Sequence, residues 1–411
     1  MYIGYVMQQA PEIRRPPFDG PANHVRHVVH HLIARGHRVR VLAGLDGRIW
    51  RSDDLESFEP VVVQSTDQGI ARRVEGGVRR IQTLLRLPYA GWFESRRFAA
   101  AIRQELSGAD LLYERMSWMG YGAGLAAERM KIPLVLEFNG DHLHDLEAKG
   151  MAPKGLQRRL SMALMAGAVR RSAHTIASGK GWHEQFIRRY GVAPERVSTV
   201  ENGTALVELL RREDLRAFSP QDPALPLHIV YLGGFYPWHG VEILLRAFAR
   251  LRAGGITARL TLIGAGANLE PCKQLAREAG IAADVQFTGQ LPAEQYAPLL
   301  AEASVGVSPY CGWKEFSGMK LFDYKAAGLA IVASGQNGQP DTLEHGRTGW
   351  IIPPCDEDAL YHALLRFAQD PALRCALGQA ARLDAEQNHS WNHTVELLEQ
   401  TFLSLTNYRH A

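Results

Sequence analysis

Short apolar runs alternate with longer helical patterns along this chain of 411 residues. Residues 2–7 form the first run, a helical pattern that Gly36 closes comes next, and a second run begins at Val39. An apolar run of this length is typical of a buried parallel strand, which needs a crossover helix before its neighbour. The alternation therefore predicts β-loop-α-β units of a doubly wound α/β sheet.

The alternation stops once and then starts again. Residues 206–226 are charged and then rich in proline, which is typical of an interdomain linker, and the apolar run 228–233 opens a second series. We therefore predict two doubly wound, Rossmann-like parallel-sheet domains, at 1–205 and 227–385, that face each other across a cleft. Ligands of such sheets bind outside the carboxyl ends of the strands, so the loops after the strands are the candidate binding loops.

The overall composition excludes several classes of protein. Apolar residues make up 46% and charged residues 22% of the chain, so it can build sizeable cores and disorder is not its main state. A formal net charge of +3 is too small to indicate a nucleic-acid partner. No apolar stretch approaches the roughly 20 residues that cross a bilayer, and the N-terminus is too quickly charged for a signal peptide.

All four cysteines lie in the second half of the chain, and no two have CxxC spacing. They are Cys272, Cys311, Cys355 and Cys375. A chain of this length needs no disulfides for stability, so we expect reduced cysteines and a cytoplasmic location. No zinc ligand set is visible.

The segment 309–328 carries the clearest signal for chemistry. A strand ends at Pro309, a polar loop follows, and a helix is predicted to begin near Met319, after Gly318, and to end at Gly328. The free N–H groups and the dipole at such a helix start form an anion site suited to phosphate. Gly318 lets phosphate oxygens approach the backbone, and the first turn of the helix adds a cationic side chain.

That cation is Lys320, and Asp323 lies on the same helix face three residues later. There Asp323 is placed to accept hydrogen bonds from ribose hydroxyls, while Glu315, ahead of the helix, is free to meet a sugar hydroxyl. The alternative is that Asp323 pairs with Lys320 on a solvated face and Glu315 is an ordinary loop charge. The apolar neighbours Leu321 and Phe322 favour a buried helix and hence the first interpretation.

Glu315 is followed eight positions later by a second acid, then by Ala-Ala-Gly and an apolar strand, and this resembles the E-x7-E region of the retaining family-4 glycosyltransferases (glycosyl transferases group 1). Further segments resemble that family in the same order: 35–44, 200–203, 231–241, 262–266, 285–289 and 346–350. The resemblance covers nearly the whole chain. It implies the GT-B fold, with a C-terminal helix, 386–411, that crosses back to pack on the N-terminal domain.

The resemblance also implies roles for individual residues. Glu315 would contact the donor sugar, Asp323 the ribose, the backbone at 318–320 the diphosphate, and the backbone at 287–291 the base. The loop 18–21 would close on the donor from the N-terminal domain. The donor-binding residues it implies are Gly20, Gly234, His239, Phe287, Leu291, Phe316, Ser317, Gly318, Met319 and Asp323. The candidate catalytic residues are Glu315, Lys320, Asp141 and His142.

Three positions depart from the family pattern. The second Glu is Asp323, whose shorter side chain changes its reach. The usual Arg and Lys of the donor domain fall on Gly234 and His239, so neutralisation of the diphosphate is assigned to Lys320, His239 and the helix dipole. The N-domain His falls on Asn139.

The predicted reaction is the retaining transfer of a hexose from a nucleotide-diphosphate sugar, a UDP- or GDP-sugar, to an acceptor hydroxyl. The family implies front-face substitution, with no metal and no cofactor beyond the donor. A double displacement would need a carboxylate on the opposite face of the sugar, and the sequence offers no clear candidate for it, with Asp141 left open. A nucleotide-sugar epimerase, a GT-B phosphorylase and a catalytically degenerate sugar-nucleotide binder are the alternatives.

The loop 139–144 follows an apolar strand and is the candidate acceptor site. Asn139 and His144 are its acceptor-side residues, and the alternative is an ordinary turn in which Asp141 caps a helix. The sequence leaves the acceptor open among lipid, polysaccharide, protein and small natural product, and it does not determine the oligomeric state.

Arginine pairs at 72–73, 79–80 and 96–97 interleave with apolar residues, as do basic residues at 154–171. We expect these helices to pack their apolar residues on the N-domain sheet and leave arginine in water. The alternative is a basic amphipathic surface that makes weak contact with anionic lipid or a lipid-linked acceptor.

Overall fold

The computed structural model describes residues 1–16, 18–63, 70–85, 87–148, 150–218, 225–311, 318–334 and 342–407. Within these ranges the chain divides into two compact units. The first comprises Met1–Glu201 together with Val395–Ala411, and the second comprises Asn202–Thr394.

The first unit is built on an eight-stranded sheet of order β4-β3-β2-β1-β5-β6-β7-β8. Its strands are β1 (Tyr2–Met7), β2 (Arg38–Leu45), β3 (Arg48–Ser52), β4 (Glu59–Val61), β5 (Leu111–Arg115), β6 (Leu134–Phe138), β7 (His174–Ala177) and β8 (Val197–Thr199). Its helices are α1 (Gly20–Ala34), α2 (Ile70–Leu84), α3 (Trp92–Glu105), α4 (Gly122–Met130), α5 (His142–Ala148), α6 (Gly155–Arg171) and α7 (Lys180–Tyr190).

One edge of this sheet differs from the predicted parallel pattern. β2 pairs with β3, and β3 with β4, in antiparallel register. The turn between β2 and β3 is Asp46-Gly47, and both residues have positive φ, 51° and 71°. Asp-Gly is a favoured pair for a two-residue hairpin turn of this kind, because glycine and aspartate tolerate left-handed backbone. The dipeptide was therefore a signal in the sequence that the parallel-sheet prediction did not use.

Helix α1 begins inside the segment 18–21, which was expected to be a loop, because Asp19 caps it. The Asp19 carboxylate accepts a hydrogen bond of 2.9 Å from the Ala22 N–H, and Pro21 occupies the first turn. An aspartate cap and a first-turn proline both favour a helix start. Gly20 is therefore the first residue of α1.

The second unit contains a six-stranded sheet that is parallel throughout, in the order β11-β10-β9-β12-β13-β14. Its strands are β9 (Leu227–Leu232), β10 (Ala258–Ile263), β11 (Val285–Gly289), β12 (Val305–Pro309), β13 (Ala330–Ser334) and β14 (Trp350–Ile351). Its helices are α8 (Leu206–Leu209), α9 (Val241–Ala253), α10 (Leu269–Glu278), α11 (Ala293–Ala301), α12 (Met319–Ala326), α13 (Glu357–Gln369), α14 (Pro371–Asn388) and the start of α15 (Trp391–Asn407). The two predicted Rossmann-like sheets are thus confirmed.

The boundary between the units falls within α15, whose residues from Val395 onward belong to the first unit. There Glu399 accepts hydrogen bonds from Arg35, at 2.9 Å, and from His37, at 2.8 Å. The ring of Phe402 packs on Tyr113 of β5 with their centroids 5.0 Å apart. The end of the chain is thereby part of the first unit's core.

The expectation of four reduced cysteines is wrong for one pair. Cys311, just after β12, forms a disulfide with Cys355, and their Cα atoms are 4.8 Å apart. Cys272 and Cys375 are free thiols. Sequence spacing does not show this pairing because 44 residues separate the two partners. Across the described ranges, no helix has the length and apolar character needed to cross a membrane.

Candidate functional site

The strand order of the second unit puts its candidate site at the carboxyl ends of β9 and β12. These two strands are neighbours, and the chain leaves β9 towards β10 on one side of the sheet before it returns to β12 and β13 on the other. Such a reversal point is where ligands bind in open α/β sheets. Gly233 follows β9 directly, and Tyr310 follows β12.

Glycines let neighbouring backbone segments come into direct contact at these strand ends. A Cβ on Gly264 would lie 1.8 Å from the Gly233 carbonyl oxygen, and Gly264 has a φ of 139°. A Cβ on Gly240, at φ 66°, would lie 1.8 Å from the carbonyl oxygen of Pro309. No other residue fits at either position, since both the space and the dihedral angle exclude a side chain. The strand ends therefore pack backbone against backbone.

Helix α12 begins at this edge, as predicted. Gly318 is its N-cap, and the Gly318 carbonyl accepts from the N–H of Leu321, at 2.7 Å, and of Phe322, at 3.0 Å. The N–H groups of Met319 and Lys320 belong to the first turn, where no intrahelical carbonyl is available, and the macrodipole adds partial positive charge there. A glycine N-cap has no side chain that could occupy these donors.

Lys320 reaches back from the first turn towards the ends of β9 and β12. Its side chain is buried, with 8% exposure. The ammonium lies 4.9 Å from the ring centroid of Tyr231 and 4.7 Å from that of Tyr310, and a Cβ on Gly233 would be only 2.8 Å from Nζ. The alternative that placed Lys320 on a solvated helix face is therefore wrong.

Asp323 lies one turn deeper and is held by two hydroxyl groups. Its carboxylate accepts hydrogen bonds from Thr204 Oγ1, at 2.5 Å, and from Tyr296 Oη, at 2.9 Å. Burial raises the pKa of Asp323 to about 6, although both hydroxyls favour the charged form. The two hydrogen bonds of this carboxylate thus come from hydroxyl groups and not from Lys320. Thr204 and Tyr296 were missed from the sequence, because they stand 119 and 27 residues away from Asp323.

His239 and Gly234 occupy the positions of the missing Arg and Lys, and they contact each other. The Gly234 carbonyl accepts from Tyr231 Oη and from His239 Nδ1, each at 2.6 Å. Burial lowers the pKa of His239 to about 4, and the charge of Lys320 lowers it further in the same direction. The imidazole is therefore neutral near pH 7, and the positive charge expected from His239 is not present there. Of the three groups expected to neutralise the diphosphate, Lys320 and the start of α12 remain.

The residues predicted to meet the base lie at the end of β11. Phe287 is partly buried in that strand, with its ring centroid 6.3 Å from that of Phe235, and Leu291 is partly buried two residues after the strand ends. The Gly289 carbonyl accepts a hydrogen bond of 2.8 Å from the Gly264 N–H, which joins this edge to the glycine-lined strand ends.

Three predicted site residues, Glu315, Phe316 and Ser317, lie outside the described residues.

In the first unit, the predicted acceptor loop is organised by Asp141. Oδ1 of this buried carboxylate accepts from the N–H groups of Leu143, at 3.1 Å, and His144, at 3.4 Å. Oδ2 accepts from Gln185 Nε2 at 2.5 Å and forms an ion pair with Arg189. This is the arrangement of a helix cap braced by a cation, which favours the structural alternative for Asp141.

The other residues of that loop surround the first turn of α5. Asn139 directly follows β6, and His142 and His144 are partly buried in that turn. Within the part of the chain that the structure describes, no group of three or more His, Cys, Asp and Glu side chains is arranged to hold a metal ion.

A buried polar network near β1 was missed from the sequence. Tyr5 Oη donates to Glu137 Oε2 at 2.9 Å, and His24 of α1 forms an ion pair with Oε1 of the same carboxylate. Burial alone would raise the pKa of Glu137, but His24 and Arg115 outweigh it and the pKa falls to about 2. The signal was present, since Glu137 is an acid inside an otherwise apolar strand.

A second buried acid, Glu114 in β5, has a different environment. Its Oε1 has no hydrogen-bond partner among the described residues, and burial raises its pKa to about 8. An acid with such a pKa is largely protonated at neutral pH, so it is a donor as well as an acceptor.

The fold of the chain is that of the GT-B proteins. The structure of HepE from Anabaena in complex with UDP superposes with a TM-score of 0.66 at 15% identity, over 98% of this chain and all of that one. Two parallel Rossmann-like sheets are common to this fold, and the predicted fold class is confirmed.

The profile described as "Glycosyl transferases group 1" matches residues 226–370, and "Glycosyl transferase 4-like domain" matches residues 19–203. The chain belongs to this family of glycosyltransferases, as the resemblance of its segments predicted.

Two relatives show how far the similarity extends. D-inositol 3-phosphate glycosyltransferase of Streptomyces avermitilis is 30% identical over 295 residues, which is 67% of this chain and 61% of that protein. A GDP-mannose-dependent alpha-(1-6)-phosphatidylinositol monomannoside mannosyltransferase of Mycolicibacterium smegmatis is 31% identical over 169 residues, 40% of this chain and 44% of that protein. The chain thus aligns with less than two thirds of the length of either relative.

Proposed function

We propose that the protein transfers a hexose from a nucleotide-diphosphate sugar to an acceptor hydroxyl with retention of configuration. Family membership supports this class of reaction. The observation that carries the proposal is the arrangement at the ends of β9 and β12, where the Lys320 ammonium, the start of α12 and the Asp323 carboxylate lie within one turn of helix.

The diphosphate of the donor binds, in this proposal, at the first turn of α12. Phosphate oxygens accept hydrogen bonds from the N–H groups near Gly318 and Met319, and the Lys320 ammonium neutralises part of their charge. Lys320 is already held by the two rings of Tyr231 and Tyr310, so little side-chain freedom is lost when the phosphate arrives. Because the Lys320 ammonium is already in place, it can stabilise the charge on the diphosphate without a further rearrangement of its side chain.

The ribose binds to Asp323, which the Thr204 and Tyr296 hydroxyls hold in place. Each carboxylate oxygen has lone pairs left for a further hydrogen bond, so ribose hydroxyls need not displace these two donors. The base then lies against the backbone between Phe287 and Leu291. Glu315 contacts the hexose hydroxyls.

The chemical step is a front-face substitution. The acceptor oxygen forms a bond to the anomeric carbon on the face from which the diphosphate leaves, the bond from that carbon to the β-phosphate oxygen breaks, and the departing oxygen takes the acceptor's proton. Lys320 and the α12 amides stabilise the charge that develops on the diphosphate. A double displacement is disfavoured because both oxygens of Asp141 are engaged as a helix cap and with Gln185 and Arg189.

The acceptor binds at the loop after β6 in this proposal, where Asn139, His142 and His144 offer polar groups and Asp141 positions them by capping α5. The donor is a UDP- or GDP-sugar, since one relative's name includes GDP-mannose and the similar HepE structure holds UDP.

The test measures nucleoside diphosphate release from a panel of UDP- and GDP-hexoses, with and without a pool of hydroxylated acceptors. We expect release from one donor that depends on acceptor. A sugar epimerised without acceptor, turnover that requires inorganic phosphate, or binding with no turnover would each contradict the transferase proposal.

Lys320→Met keeps the length of the side chain and removes its charge. We expect kcat/KM to fall by about 10²-fold, since a buried cation facing a diphosphate contributes a few kcal/mol to transition-state binding. Lys273→Met is the matched control, because Lys273 is on α10 and pairs with Glu270 at the surface. Equal activity of the two variants would overturn the role of Lys320.

A further inference from the structure

Helix α2 of the first unit turns an apolar face to solvent. Val74, Val78 and Ile81 of α2 and Leu85, the residue directly after it, follow one another at intervals of four, three and four residues. The Leu85 N–H still bonds the Ile81 carbonyl, so all four lie on one side of the helix. Their exposed fractions are 52%, 42%, 55% and 60%. We call this side of the helix and its apolar surroundings the α2 patch.

The patch extends beyond the helix itself. Leu84, the last residue of α2, is also exposed, as are Leu87, Tyr89 and Trp92 after the helix, Met151 ahead of α6 and Leu156 at its start. Gln157 joins these two parts, because its side chain bonds the Tyr89 N–H at 2.6 Å and the Tyr89 carbonyl at 2.8 Å. An exposed apolar area on this scale marks a binding surface.

The way α2 is attached explains why its apolar side is free. Glu75, which is 9% exposed, pairs with Arg79 of its own helix and with Arg97 of α3, at 2.6 Å. Arg79 also pairs with Glu94 of α3. The charged side of α2 thus faces the protein and the apolar side faces out, the reverse of an ordinary surface helix.

This arrangement overturns the expectation that both basic stretches pack their apolar residues on the sheet. It is wrong for α2. In α6, Met165 and Val169 are buried, whereas Leu156 is exposed.

Basic side chains border the patch. Arg73 and Arg80 are exposed beside Leu84 on the helix, and no acidic partner for either is found among the described residues. The Arg96 guanidinium lies over the Trp92 ring, 4.5 Å from its centroid. Lys154 and Arg159 are exposed near Leu156. Apolar helix face, interfacial aromatic rings and flanking cations together match the surface of an anionic bilayer.

We propose that the α2 patch docks the protein on an anionic phospholipid surface, with α2 in the plane of the interface. A second copy of the chain would bring the same basic border against itself, and like charges repel, whereas lipid phosphates complement it. This docking is a property beyond the transfer reaction, and it is tested without donor or acceptor.

The experiment is flotation of the full-length protein with vesicles of phosphatidylcholine alone and of phosphatidylcholine with an equal amount of phosphatidylglycerol. We expect binding to the anionic vesicles at low salt, at least about tenfold weaker binding at 0.5 M NaCl or to the neutral vesicles, and a blue shift of tryptophan emission on binding.

Ile81→Ser/Leu85→Ser should reduce binding about tenfold, and Arg73→Gln/Arg80→Gln should reduce binding and its dependence on salt. All four residues are exposed, so folding is preserved, and far-UV circular dichroism checks this. Leu383→Ser is the control, since Leu383 is 47% exposed on α14 of the second unit. Unchanged binding of the first two variants, or equal binding to neutral vesicles, overturns the proposal. So does a dimer, seen by light scattering without vesicles, that Ile81→Ser/Leu85→Ser abolishes.

Discussion

At the scale of single residues, the donor site depends on which groups are charged. Lys320 is a buried cation between two rings, His239 beside it is neutral near pH 7, and Asp323 has a pKa of about 6. Burial is the main cause of both shifts, and its direction follows the charge type: it disfavours the imidazolium and the carboxylate alike. The donor site therefore contains one cation, Lys320, and one acid that is readily protonated, Asp323.

The raised pKa of Asp323 predicts a pH dependence. If ribose hydroxyls donate to this carboxylate, binding needs its charged form, so kcat/KM should rise with pH up to about 6 and then level off. The folded pKa lies above the ordinary value of 3.8, so stability from this group is present at low pH and lost as pH rises through about 6. Kinetics between pH 5 and 8 check the first effect.

Asp323→Asn is the comparison for that profile. The amide still accepts one hydrogen bond but does not titrate. We therefore expect weaker binding of the nucleotide-sugar donor, and a kcat/KM that does not change between pH 5 and 7. A profile in the variant that still rises with a pKa near 6 would assign the titration to another group.

At the scale of the element, two helix starts have different capping. A glycine precedes α12 and leaves the first N–H groups of the helix for a ligand, whereas Asp141 precedes α5 and its carboxylate accepts from the first N–H groups there. Two helix starts that look alike in sequence, each after an apolar strand and a polar turn, therefore have different capacities for an anion.

The variant Asp141→Asn distinguishes a helix-capping role of Asp141 from a role as the nucleophile. The amide oxygen still caps α5 but no longer pairs with Arg189, so we expect a loss of about 1–3 kcal/mol in unfolding free energy and less than a tenfold loss in kcat. Urea unfolding measures the change in unfolding free energy, and the rate of product release measures kcat. Arg189→Gln should behave similarly.

A loss of 10³-fold or more in kcat for Asp141→Asn, with stability unchanged, would instead support the double displacement that the capping contacts disfavour.

At the scale of the whole molecule, the chain's last helix completes the core of the first unit. Val395, Leu398 and Phe402 are each at most 2% exposed there, although they lie about 200 residues after the rest of that unit. The first unit is therefore discontinuous in sequence.

Phe402→Ala should destabilise the first unit by about 3–5 kcal/mol, because it leaves a cavity beside Tyr113. Leu403→Ala is the matched control, since Leu403 is the next residue of the same helix and is 39% exposed. Calorimetry of both variants measures the effect. Similar melting temperatures for the two would show that the end of α15 does not stabilise the core.

Much of the fold and part of the site could be predicted from the sequence. The strands of both sheets other than β3, β4 and β14, the start of α12 and the candidate donor residues follow from local patterns, namely apolar runs, a glycine before an amphipathic stretch, and a familiar spacing of acids. The antiparallel hairpin at β3 and the Cys311–Cys355 pair were not predicted, and an outward amphipathic face at α2 was only the alternative to the expected packing. Each depends on which distant segment packs alongside.

The sequence by itself determined the alternation of strand and helix, the family, and the position of a lysine and an acid on one helix next to a glycine. Those features depend on neighbours in the chain, and backbone geometry converts them directly into local structure. Only the tertiary structure decided that Asp323 meets Thr204 and Tyr296, that Lys320 lies between Tyr231 and Tyr310, and that His239 is neutral. These contacts depend on the order of strands in the sheet, and burial, which sets the charges, exists only once the sheet is packed.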